Sequence, residues 1–361
     1  MIYNPRIVIH LPFGKRSGSS SPHRVLANGV YEPFISGFRQ LSDAIESWPA
    51  PLRRLVLAVG PVRALILTAM STRYAVVVVF RTGEGWRSLL LLRALLGRDR
   101  KLVVLHFIDH PARATGPGAL VDRIWRPIDR WATRRALLRA QVLSVRERTL
   151  YAATFGVQEA RFCVIPYAWR MTDTPPTPAS ARDLVLAAGR ALCDWPAVFA
   201  AAERGTWPVV VVCTSEDREL VDRLNAAGRA TVMTELSPAR MSELLLNAAV
   251  CVIALADSPI SHGQIRLCNA VDAGAAVVAS RISALDGYLV DGQTALLVSP
   301  GDPEALAAAV ERLILDPGLR DQMAAAAFER AGTWTAETYL RAIAAFVRDG
   351  TAPDLPDSFV R

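Results

Sequence analysis

Ala275-Ala276-Val277-Val278-Ala279 is an unbroken apolar run of strand length. A strand that is apolar on both faces must be covered on both faces. That is the situation of a parallel strand between helix layers, and not of a sheet with one wetted face. The run follows a helical pattern in which Ile265, Leu267, Cys268 and Val271 share a face. Ser261-His262-Gly263-Gln264 opens that pattern and Ala273-Gly274 closes it, which are start and stop signals for a helix. The first-turn amides of such a helix favour an anion, because they have no intrahelical acceptor and sit at the positive end of the helix dipole. Beyond the strand lies Asp286-Gly287-Tyr288, a turn sequence.

The same alternation of apolar strand and helical pattern runs through the chain. Strands are expected at Arg6–His10, Val76–Phe80, Lys101–His106, Ala140–Val145 and Phe162–Ile165. After the Pro- and Thr-rich segment 172–180, which has linker composition, they are expected at Leu184–Ala188, Val209–Cys213, Thr231–Met233, Val250–Leu255, Ala275–Ala279 and Ala295–Val298. The rhythm predicts an α/β protein of two Rossmann-like halves, each a parallel sheet with crossover helices. The expected division is an N-terminal domain over 1–171, a linker over 172–182 and a C-terminal domain over 183–335. A last helix (Ala336–Val347), expected to cross back to the first domain, and a loose tail then occupy 336–361. At 361 residues, two domains each have enough chain for a core of their own.

Charged residues interrupt every apolar stretch before it reaches the roughly 18 residues a spanning helix needs. The opening MIYNPRIVIHLPFGKR reads as a core strand, so the chain is expected in the cytoplasm. Five cysteines, mostly within apolar runs, are expected as reduced core residues, and no His/Cys cluster has metal-ligand spacing. The formal charge of +7 suits anionic partners: a diphosphate, an anionic membrane or nucleic acid, although no nucleic-acid motif accompanies it. The stretch Leu120–Arg139 places Arg123, Arg126, Arg130, Arg134, Arg135 and Arg139 at helical spacing. It reads either as a solvated basic helix or as one resting on an anionic membrane, with Pro127 expected to weaken its continuity.

The order of features from Ser261 to Glu304 resembles the donor-domain signature of GT-B glycosyltransferases, in the retaining family 4 group and its Ser-x-Gly-Gln subgroup. Members of that group carry two glutamates whose positions match Ser261 and Asn269 here, so both carboxylates are replaced. The resemblance implies a GT-B fold of two Rossmann-like domains facing a central cleft. It also implies transfer of a sugar from a nucleotide diphosphate donor to a hydroxyl acceptor, with retention and without a cofactor or metal. In the donor site it points to Gly189 and Arg190 after the strand Leu184–Ala188, to His262, Gly263, Gln264 and Arg266 at the helix start, to Asn269 for the ribose, and to Asp286 and Tyr288 near the sugar. Arg190 has the fixed fork that grips two phosphate oxygens and would stabilise the leaving diphosphate as the sugar bond breaks. Asp194 reads as a cap for the helix that follows it.

In the first half, the loop with Gly14, Lys15, Ser17 and Gly18 follows the expected first strand and offers amides, cations and hydroxyls to a phosphate or acceptor. The run His106-Phe107-Ile108-Asp109-His110 follows the strand Lys101–His106. His106 reads as a core histidine, and Asp109 and His110 read as the residues that orient an acceptor hydroxyl or take its proton. Glu147, after Ser144, reads as a local cap. The expected partners are a nucleotide diphosphate sugar and a small-molecule, glycan or lipid-linked hydroxyl acceptor, with possible contact to the inner face of a membrane. Two other readings stay open at this point: a nucleotide-sugar 2-epimerase on the same scaffold, and a non-catalytic binder of a nucleotide sugar or of a partner glycosyltransferase.

Overall fold

The computed structural model describes residues 25–28, 38–81, 85–97, 99–109, 117–173, 176 and 182–359. The expected strand Arg6–His10, the loop carrying Gly14, Lys15, Ser17 and Gly18, His110 and most of the Pro-rich linker lie outside the described residues. The chain forms two compact units. Of the described residues, one unit holds those up to Pro166 together with Leu340–Asp354; the other holds those from Tyr167 to Tyr339 and from Leu355 on. The division thus falls ahead of the Pro-rich segment.

The first unit is built on a sheet of six parallel strands: β1 (Val25–Ala27), β2 (Arg39–Gln40), β3 (Val76–Phe80), β4 (Leu102–Leu105), β5 (Leu137–Val142) and β6 (Phe162–Val164), in the order β2-β1-β3-β4-β5-β6. Between them run α1 (Leu41–Ala44), α2 (Ala50–Ala58), α3 (Gly60–Met70), α4 (Trp86–Leu96), α5 (Pro117–Ala136) and α6 (Val145–Phe155). Strand β4 is buried along its whole length, as its all-apolar sequence requires. Helix α5 continues through Pro127. The ring stands on the exposed side, where the carbonyl it deprives of a donor meets water, so the expected interruption does not occur. Ser144 caps α6 by accepting from the Glu147 amide at 3.2 Å, while Glu147 reaches back to the Leu143 N–H at 2.9 Å; this is the reciprocal arrangement expected of it.

The second unit holds β7 (Leu184–Ala188), β8 (Val209–Cys213), β9 (Ala230–Thr234), β10 (Ala248–Ile253), β11 (Ala276–Ser280) and β12 (Leu296–Val298), all parallel, in the order β12-β11-β10-β7-β8-β9. Helices α7 (Trp195–Arg204), α8 (Arg218–Leu224), α9 (Pro238–Asn247), α10 (Gln264–Asp272), α11 (Pro303–Leu315) and α12 (Pro317–Ala331) connect the strands and cover the sheet. Val185, Val211, Val250 and Val278 form the centre of the core, against Val198 and Phe199 of α7 and Leu306 and Val310 of α11. Asp194 caps α7 through the Ala197 amide, so that helix starts where the sequence marks it, and Asp302 caps α11 through the Ala305 amide. Helix α13 (Ala336–Asp349) begins in this unit, and its residues from Leu340 pack in the first.

The tail differs from the expectation of a loose end. Residues Asp357–Phe359 form a short 3-10 turn, and Phe359 is buried against Tyr288 and Trp169, with ring centroids 4.8 and 6.0 Å away. A single aromatic side chain anchors this segment where periodicity gives no signal.

Candidate functional site

In the second unit the chain moves from β7 to β8 to β9 in one direction. It then returns to place β10 on the other side of β7. The carboxyl ends of β7 and β10 therefore flank a topological switch point, where the diverging connections leave a crevice in open α/β sheets. The loops that leave these strands are tied to each other. Asp194 N donates to Ala254 O at 3.0 Å and Ala256 N to Leu192 O at 2.8 Å. Gly189 and Arg190 follow β7, and the loop after β10 leads to Gly263 and the start of α10.

Gly263 is the N-cap of α10, with φ of +87°, and a Cβ there would run into Leu255 at 2.6 Å. Only glycine fits both conditions. The cap offers no side-chain acceptor, so the first-turn amides of α10 are not satisfied by it. Arg266 stands in that first turn. Its Nη1 is 3.2 Å from the Met241 sulfur, its Nε has no hydrogen-bond partner, and no carboxylate pairs with it among the described residues. Burial holds its pKa below the ordinary arginine value; Cys251 and Cys193 oppose that shift and Arg190 adds to it. Arg266 is thus a half-buried cation near a second one, and the hydrogen bond it makes is to a weak thioether acceptor. Arg190 itself is exposed and 3.5 Å from Glu235 after β9, which is also exposed, a surface pair that yields readily. Asn269, one turn beyond Arg266 on α10, is half-buried, and its side-chain amide has no partner among the described residues.

Other residues named from the sequence are turned to structural work. Gly189 packs under the sulfur of Cys193, so its missing side chain serves an internal contact. Gln264 is buried and donates to Ala284 O at 2.7 Å, which holds the turn Ser283–Leu285 against the helix start. His262 is buried with Nδ1 2.8 Å from Ile260 O and Nε2 3.1 Å from Ala256 O. Both ring nitrogens face the protein's own carbonyls, so the expected donor contact by the His262 ring is replaced by bracing of the loop. Tyr288 is likewise corrected. Its ring is buried edge-on against Trp169 and Phe359 and its hydroxyl donates to Tyr167 O at 3.1 Å, which leaves nothing for a sugar. Asp286 is exposed at the end of the same turn.

At the carboxyl edge of the first sheet, Asp109 does not stand free to take a proton. Its Oδ1 accepts from Arg81 at 2.9 Å and its Oδ2 from Arg126 at 3.2 Å. Arg81 also pairs with buried Asp129 at 2.6 Å and lies over the rings of Phe107 and Phe155 at 4.5 and 4.8 Å. The expected role of Asp109 as a base gives way to that of an anchor, because its carboxylate is committed to two guanidinium groups. Arg81 was not anticipated. The available signal was a charge placed directly after the apolar strand β3, one residue closer to its strand than Arg190 is to β7. His106 packs against Phe80 at 5.3 Å between centroids, and burial pushes its pKa down to about 4, so the ring is neutral near pH 7.

Backbone strain points to the same edges. The described non-glycine residues with left-handed backbone are His106, Leu192 and Glu235, which follow β4, β7 and β9. Each such residue costs about 1–3 kcal/mol and persists where the surroundings hold it, which is characteristic of ligand-binding edges. Among the described residues no group of three or more His, Cys, Asp or Glu side chains is placed to hold a metal ion.

Residues 189–316 match the family model described as Glycosyl transferases group 1. The matched region begins at the residue that follows β7 and contains β10 and the start of α10. A D-inositol 3-phosphate glycosyltransferase of Corynebacterium diphtheriae is 34% identical over 117 residues, which are 32% of this chain and 27% of that protein, so the match spans about a quarter of the relative's length. Among solved structures, sucrose-phosphate synthase from Thermosynechococcus elongatus superposes with a TM-score of 0.63 at 18% identity, covering 82% of this chain and 78% of the other. Anabaena HepE in complex with UDP superposes with a TM-score of 0.60 at 16% identity, covering 79% and 81%. The fold is that of the GT-B glycosyltransferases, two parallel-sheet α/β domains, and the second unit carries the match to the group 1 glycosyl transferases.

Proposed function

We propose that the chain is a glycosyltransferase that takes a nucleotide diphosphate sugar as donor. The observation that carries this reading is Arg266: a half-buried guanidinium without a carboxylate among the described residues, in the first turn of α10 at the topological switch point. A diphosphate supplies the missing acceptor oxygens. In this reading Arg190 leaves Glu235 to close on the same phosphates, and Asn269 hydrogen-bonds a ribose hydroxyl through its amide. That HepE was solved with UDP, and in another structure with UDP-glucose, supports a ligand of this chemistry.

The positive groups at the site suit departure of the nucleotide diphosphate. As the bond from the anomeric carbon to the phosphate oxygen lengthens, charge grows on the phosphate, where Arg266, Arg190 and the helix amides stabilise it without a metal. The acceptor hydroxyl then adds from the face the diphosphate leaves, with retention. With Asp109 held by Arg81 and Arg126, the departing phosphate oxygen receives the acceptor's proton. A second reading, binding without turnover, is favoured by Ser261 and Asn269 standing where the resembled family has carboxylates.

Calorimetry with UDP, GDP and dTDP tests the site. One of the three is expected to bind, and Arg266→Gln to weaken it about tenfold to a hundredfold, the worth of a charge-assisted hydrogen bond. Equal binding by wild type and variant would refute the assignment. Release of nucleotide diphosphate from the matching nucleotide sugar separates turnover from binding alone.

A further inference from the structure

Each step from β2 to β3, β3 to β4, β4 to β5 and β5 to β6 moves across the first sheet in the same direction. Right-handed crossovers therefore place all the connecting helices on one face, and α3 packs on α4, α4 on α5 and α5 on α6 as this requires. Most of the exposed large apolar side chains among the described residues belong to this single layer, which sets it apart from the rest of the surface.

Helix α5 shows the pattern best. Its inner side buries Asp129, Ala132, Thr133 and Ala136. At about 100° per residue, Leu120, Val121, Ile124, Ile128 and Trp131 fall together on an outer arc of about 100°. Ile124 is 59% exposed and Trp131 40%. Arg123, Arg130 and Arg134, all exposed, occupy the adjoining outer arc. Of the two acids on α5, Asp129 is buried against Arg81, so it does not offset that charge at the surface. Arg135 donates to the Ala94 carbonyl at 2.6 Å, which ties the end of α4, with exposed Leu95 and Leu96, to the turn of α5 that carries Trp131. In the same layer, α2 exposes Leu52 and Leu55 and, with α1, borders an open groove of about 550 Å³ lined by Arg53, Arg54 and Leu57.

We infer that this helix layer docks on an anionic lipid bilayer, with the apolar arc of α5 at the level of the acyl chains and its arginines against the headgroup phosphates. An apolar stripe beside a row of arginines, on a helix whose other side is fixed in the fold, matches a surface that is apolar just beneath a layer of negative charge. A protein partner needs no such division into an apolar and a cationic arc. Among the described residues no single helix is long and apolar enough to cross a membrane; the pair Ala50–Ala58 and Gly60–Arg73, bent by 104°, reaches that length and composition only together.

Flotation of the full chain with lipid vesicles tests the inference and does not depend on the donor site. Binding is expected to vesicles of equimolar phosphatidylglycerol and phosphatidylcholine, to be weak on phosphatidylcholine alone, and to fall with added salt. The triple variant Arg123→Ser, Arg130→Ser, Arg134→Ser should bind about a hundredfold more weakly. The separate pair Ile124→Ser and Ile128→Ser should weaken binding while leaving its preference for anionic lipid. All five positions are exposed, so an unchanged melting transition is expected in both variants. The inference is overturned if wild type fails to float with anionic vesicles, if both variants bind as wild type does, or if light scattering shows that the face is consumed in a dimer that excludes vesicles.

Discussion

Both carboxylate oxygens of Asp272 lie 3.1 Å from the backbone nitrogen of Met171, so the last turn of α10 holds the segment that enters the second unit. The contact places an acid at a helix C-terminus, where the dipole disfavours negative charge. Burial pushes its pKa up to about 7, against the pull of the Met171 and Thr172 N–H groups and of Arg170, while Asp173 adds to the rise.

The sign of the resulting pH dependence follows. Between about pH 4 and pH 7 the folded chain keeps the Asp272 proton and the unfolded chain releases it, so stability falls as pH rises through that window. Asp272→Asn removes the ionisation. Thermal melts should show the variant gaining on wild type from pH 4 to pH 8, by an amount on the order of a few kcal/mol at most. A difference that stays flat with pH would show that the carboxylate is accommodated as an anion.

Gly189 and Cys193 are predicted to be energetically coupled. A Cβ on Gly189 would overlap the Cys193 sulfur, so Gly189→Ala should cost about 1–3 kcal/mol through overpacking. Adding Cys193→Ala should recover part of the loss, and a double-mutant cycle in denaturant measures the interaction directly.

The Arg81 cluster is expected to carry a large structural penalty when broken on one side only. Arg81→Met leaves Asp129 buried without its cation and should cost about 3–5 kcal/mol. Introducing Asp129→Asn into that background should restore a share of the stability, because it removes the stranded charge. Chemical denaturation of the three proteins checks the order.

The sequence determined the architecture. The unbroken apolar runs at Leu184–Ala188 and Val209–Cys213 could only be covered parallel strands, and both appear with those limits. Asp194 marked a helix start because a cap acts on amides two or three residues away. Gly263 marked the start of α10 for the same local reason. The segment Pro317–Ala331 was not anticipated as a helix, since its hydrophobic positions follow no clean face, and the two-residue β2 lies below the length at which periodicity speaks.

What the tertiary structure alone decided is which polar groups are already spoken for. Asp109, His262 and Tyr288 have the chemistry of site residues, yet their partners Arg81, Ala256 and Tyr167 stand from six to more than a hundred positions away. Arg266 and Arg190 have the same side chain, and the fold gives one a carboxylate and leaves the other without. Periodicity and capping act between neighbours in the chain and can be read from it. Charge pairing and burial depend on which distant segments the fold brings together, and that selection leaves Arg266 without a carboxylate among the described residues.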